Sequence, residues 1–139
     1  MGGIYIQCGS FQGNDKSGSA IEGVLDELAL IASPAQLELI AKIRSCLDGG
    51  EQYAMIATDD ADALAPLLGR YRTRIEARIA PITNPVDQME KDHHDDPTQN
   101  ATDAKYGKGL GWRYYCVLDL ERACKISHEE GEPVVITWD

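Results

Sequence analysis

No Cys-x-x-Cys pair occurs in this chain of 139 residues, no apolar run approaches the roughly 18 residues of a membrane-spanning helix, and basic residues are few, 13 Lys and Arg against 23 Asp and Glu. Each shortage removes a class of function. Without paired, closely spaced ligands, Cys8, Cys46, Cys116 and Cys124 do not read as structural zinc, and in a reducing compartment they read as buried thiols. Without an apolar span or a basic, apolar leader, a membrane protein is not expected, and a cytoplasmic one is. Without clustered bases, phosphate contacts lack their donors, so neither nucleic acid nor anionic lipid is an expected partner.

Catalytic signatures are missing as well. There is no Gly-x-Ser-x-Gly elbow. The loop Gly9-Ser10-Phe11-Gln12-Gly13-Asn14-Asp15-Lys16-Ser17 follows a strand, but Asp15 stands where a phosphate loop needs glycine. Cys116 or Cys124 with His128 across a strand–helix turn is the one arrangement resembling a thiol nucleophile and base. Asp92-His93-His94-Asp95-Asp96 gathers metal-ligand side-chain types, but neighbours in an extended loop point in opposite directions. A solvated polar loop is the simpler reading, so no metal and no cofactor is expected.

What is present is a folding pattern and a net charge of −10. A chain of this length buries about two-thirds of its unfolded surface and supports one domain over residues 1–139 without a staple. Residues 3–8 read as a first strand, with a loop to about residue 19. Ile21, Val24, Leu25, Leu28 and Ile31 form a helical stripe. Ser33-Pro34-Ala35-Gln36 is a capping box for a second helix, with Leu37, Ile40, Ile43 and Leu47 inward and Gly49-Gly50 as its stop. Tyr53–Ala57 reads as a short apolar strand at a sheet centre. Asp59, Asp60 and Asp62 favour a helix start, with Pro66 expected to kink or split that helix and Gly69 to stop it.

From Tyr71 to Ile79, apolar and charged residues alternate, which predicts a half-buried strand; a helix with Tyr71, Ile75 and Ile79 on one side is the competing reading. Arg70, Arg72, Arg74 and Arg78 are the one basic concentration, and pairing with the chain's own acids is the expected use. Residues 83–110 lack apolar periodicity and read as a mobile acidic loop. Trp112–Val117 is expected to be an aromatic strand. Asp119 then caps a helix carrying Leu120, Ala123 and Cys124, and Pro133–Trp138 closes as a strand. The order β-α-α-β-α-β-loop-β-α-β predicts a layered α/β domain with a mixed sheet of about five strands and about four helices.

Gly111-Trp112-Arg113-Tyr114-Tyr115-Cys116, with Asp119-Leu120, Ala123-Cys124, Gly131 and Pro133-Val134-Val135 after it, resembles the ends of some small bacterial immunity proteins that neutralise polymorphic or contact-dependent toxins. The likeness spans about the last 30 residues. It implies a cognate toxin domain as partner and no catalysis by this chain. The expectation is therefore a cytoplasmic acidic binding protein that occludes the cationic site of a basic, nuclease-like toxin. Asp92, Asp95 and Asp96 would supply charge, and Trp112 and Tyr114 aromatic anchors. Two alternatives stand beside it: a small metal-binding enzyme using His93, His94 and nearby acids, and a structural or assembly subunit joined through a sheet edge. The oligomeric state is left open.

Overall fold

In the computed structural model, residues 4–13, 18–49, 53–79 and 110–138 are described. They form β1 (Ile4–Cys8), β2 (Phe11–Gln12), α1 (Gly18–Ala29), α2 (Pro34–Asp48), β3 (Tyr53–Ile56), α3 (Thr58–Ile79), α4 (Leu110–Glu130) and β4 (Val134–Trp138). The class is α/β, as expected, with four helices among the described residues. Among the described residues the sheet has four strands, close to the expected number of about five, in the order β2-β1-β4-β3, and every pairing there is antiparallel where a mixed sheet was expected.

Local sequence accounts for much of this. In α2, the Ser33 N–H donates to Gln36 Oε1 at 2.9 Å and the Gln36 N–H donates to Ser33 Oγ at 3.3 Å, which closes the capping box. Pro34 occupies the first turn, where its missing N–H costs nothing, and the Gly49 N–H bonds the Ser45 carbonyl at the far end. Within α1, Ile21, Val24, Leu25 and Leu28 are buried. Only Ile40 and Ile43 are buried in α2, whereas Leu37 is exposed and Leu47 half-buried. That helix lies at the margin of the core.

Several expectations fail, and one cause links them. Residues 71–79 are not a strand but the second half of α3, which runs unbroken through Pro66 and past Gly69. The buried positions Ala61, Leu64, Leu68, Tyr71 and Ile75 follow the helical repeat, while Thr73 and Arg74 are exposed. Gly69 is no stop: a side chain there would meet Glu121 Oε1 of α4 at 3.3 Å, so the glycine marks a close helix–helix approach. Trp112–Val117 is likewise helical, and Asp119 sits inside α4 rather than capping it. Cys116, Val117, Leu120, Ala123, Cys124 and Ser127 form one buried stripe. The two long helices pack antiparallel, as the pairs Asp62–His128, Arg72–Glu121 and Glu76–Tyr114 record. Each supplies the apolar face that the other needs, and this tertiary gain overrides the strand preference of aromatic and alternating segments. The expected loop up to residue 19 is also shorter, since β2 forms within it and α1 begins at Gly18.

All four helices lie on one face of the sheet. Ile4, Ile6, Cys8, Ala54, Ile56, Val134 and Ile136 point into the core, and Ile6, Ile136 and Ala54 stand side by side across three strands. The end of α4 is fastened there. Glu132 offers its carbonyl to the hydroxyl of buried Ser127 at 2.5 Å, to the Cys8 thiol at 3.3 Å and to the Thr58 hydroxyl at 3.4 Å. Gly131 ends α4 with φ +72°, a left-handed conformation that glycine adopts without strain. One carbonyl thus ties β1, α3 and the lead into β4.

Candidate protein-docking surface

The helices leave the second face of the sheet without a layer among the described residues. Strand alternation puts Tyr5, Gln7, Tyr53, Met55, Val135 and Thr137 there. The register makes two rows, Tyr5–Thr137–Tyr53 and Gln7–Val135–Met55. Tyr53 is 52 % and Met55 60 % exposed, whereas Tyr5, Val135 and Thr137 are half-buried. Exposed Tyr and Met beside partly buried neighbours are residue types enriched where proteins meet.

β3 borders this face and, among the described residues, pairs only with β4. Among the described strands it is therefore an edge, not the centre strand its apolar sequence suggested; β1 and β4 hold the centre. Between β3 and α2 lies a small groove with Leu39, Ile43, Cys46, Met55 and Ile56 along its walls. Lys42 and Asp60 pair at 3.5 Å across its rim, with most of the Lys42 side chain in solvent. Such an exposed pair is worth at most about 1 kcal/mol, so Asp60 remains open to competition from another cation.

Elsewhere several bases are engaged by acids. Arg72 donates from Nε to Glu121 at 2.6 Å and from Nη1 to Glu76 at 2.5 Å, and Glu121 foremost among these contacts holds its guanidinium above the usual range. Arg113 is bonded to Glu27, which also accepts the hydroxyl of buried Tyr71 at 2.5 Å. Arg44 meets Asp26 at 2.7 Å. Arg122 lies over the Phe11 ring at 5.5 Å. The expectation that α3 arginines serve the chain's own acids thus holds for Arg72. Among the described residues, no ion pair reaches Glu22, Glu38, Asp48, Asp59, Glu129 or Glu132.

Of the residues singled out by sequence, Asp92, Asp95 and Asp96 lie outside the described residues, as do His93, His94 and the whole predicted loop except Leu110. Trp112 is in α4, not in a strand. Tyr114 is in α4 too: it is half-buried against the core and its hydroxyl donates to Glu76 at 3.3 Å. Burial first, and Glu76 next, raise its phenol above the ordinary range. Cys124 and His128 line the same hollow but are not hydrogen-bonded to each other. Burial pushes the Cys124 thiol up to about 12, away from thiolate, and His128 Nδ1 sits 3.2 Å from Asp62 at the surface. Among the described residues no three His, Cys, Asp or Glu side chains are placed to share a metal ion, and no helix is long and apolar enough to cross a membrane.

Compared with known proteins, the chain matches no protein-family profile, no curated protein and no solved structure. Sequence reasoning missed Tyr53 and Met55. The run Tyr-Ala-Met-Ile is apolar on both sides, which is also how a strand covered on both faces reads.

Proposed function

We propose that the chain is an acidic binding protein that neutralises a basic protein partner, with a nuclease-like toxin domain as the class its charge suits best. Inhibition would be by occlusion: the acidic body sits on a cationic active site and shields it from substrate. The observation that carries this reading is the sheet face that no described helix covers, with exposed Tyr53 and Met55, on a chain of net charge −10. Tyr53 and Met55 supply contact energy, and the chain's excess of carboxylates steers a basic partner over about a Debye length of 8–10 Å. The shortage of bases supports the same reading, because 13 Lys and Arg cannot offset 23 Asp and Glu even where pairs form.

The test is co-expression of the chain with the basic product of an adjacent reading frame. A stoichiometric complex is expected, formed more slowly as salt rises and weakened by joint replacement of Tyr53 and Met55 with alanine. If the two proteins elute separately at low salt, and the chain does not relieve the growth defect caused by that product, the reading is wrong.

A further inference from the structure

We propose that β3 accepts an extended segment of a basic partner as an added strand, with the partner's alternate side chains falling into the α2–β3 groove and onto the open sheet face. This rests on the reading of the chain as an acidic binder and adds the mode of engagement. Three separate observations lead to it.

First, the strand itself carries no device that would block pairing at its edge among the described residues. Tyr53-Ala54-Met55-Ile56 contains no Lys, Pro or acidic residue, the usual devices that turn other strands away from a sheet edge. Second, both sides of the edge are shaped for an alternating strand. Successive side chains of an added strand point to opposite faces. One set would meet Tyr53 and Met55 on the outer face; the other would enter the groove walled by Leu39, Ile43 and Cys46. Third, carboxylates flank the strand in sequence. Asp48 ends α2, five residues before Tyr53, and Asp59 and Asp60 lie in the first turn of α3, directly after it. An apolar strip between acidic ends fits an alternating apolar segment flanked by Lys or Arg. It does not fit a second copy of this chain, which would bring the same acids and a net charge of −10 against them.

The probe is the blocked peptide Lys-Lys-Val-Thr-Val-Thr-Val-Lys-Lys, titrated into the intact, isotope-labelled chain while amide exchange and chemical shifts are followed. Slower exchange confined to the edge amides within Tyr53–Ile56 is expected, together with shifts at Leu39 and Ile43. Methylating alternate peptide amides removes the strand hydrogen bonds without touching the protein, and should weaken binding at least about tenfold if two bonds are lost. A Glu-flanked peptide should not bind. Equal binding of the methylated peptide, or protection elsewhere, overturns the added strand while leaving an acidic binder standing. No binding of any basic peptide overturns the added strand; loss of the binder reading itself would also require separate elution in the co-expression test. A chain that sediments as a dimer, with β3 amides already protected, gives the edge to a second copy and overturns the proposal.

Discussion

Raising the pH should unfold this protein through its buried thiols, and Cys124 allows the effect to be isolated. Cys124 lies on the buried stripe of α4 with 2 % of its surface exposed. Burial first, then the charges of Cys8, Asp62 and Glu121, raise its thiol from an ordinary value near 9 to about 12. In the unfolded chain it loses its proton near pH 9, whereas the folded chain holds it until about pH 12. Below pH 9 both states keep the proton and the group adds no pH dependence. Between pH 9 and pH 12 the unfolded state binds fewer protons, so stability falls as pH rises, by a little over about 1 kcal/mol per pH unit and roughly 4 kcal/mol in all. The assay is urea unfolding of the wild type and Cys124→Ala, with reductant, at half-unit steps from pH 8 to roughly pH 10.5. The variant starts lower, by about 1 kcal/mol for the lost packing, and then falls less steeply, so the two curves converge and cross before roughly pH 10.5. Cys8, Tyr71 and Tyr114 are shifted upwards too, so the variant keeps some slope. Parallel curves for the two proteins would refute the reasoning, because they would mean that Cys124 titrates alike in both states.

Two further predictions concern the helices. Glu27→Ala deprives the Arg113 guanidinium and the buried Tyr71 hydroxyl of a shared acceptor, and should cost about 2–3 kcal/mol against about 1 kcal/mol for Tyr71→Phe, measured by urea unfolding at pH 7. Equal losses would show that the arginine pairing contributes little. Pro66→Ala restores an N–H in the interior of α3 at an exposed position and should stabilise the protein by about 1–3 kcal/mol in thermal unfolding; a lower midpoint would mean that α3 is adapted to the missing bond.

Signals contained within a few residues determined the parts that sequence could establish. The capping box at Ser33 and Gln36 fixes the start of α2 whatever surrounds it. The stripe Ile21, Val24, Leu25 and Leu28 needs only a helical repeat to become a buried face, and the alternation of β1 and β4 sets which of their residues enter the core. The α/β class follows from these. Tertiary structure decided the rest. The 71–79 segment satisfies two periods at once, and only the neighbouring α4 makes the helical one pay. Trp112–Val117 carries strand formers, yet Cys116 and Val117 extend a stripe that α3 covers. Gly69 reads as a stop until Glu121 of α4 is seen beside it. The docking face was hidden for the same reason: an apolar strand looks alike at the centre or the edge of a sheet, and its place depends on hydrogen-bond partners far away in sequence. Net charge is fixed by composition alone, but where exposed Tyr53 and Met55 stand relative to that charge is a property of the folded sheet.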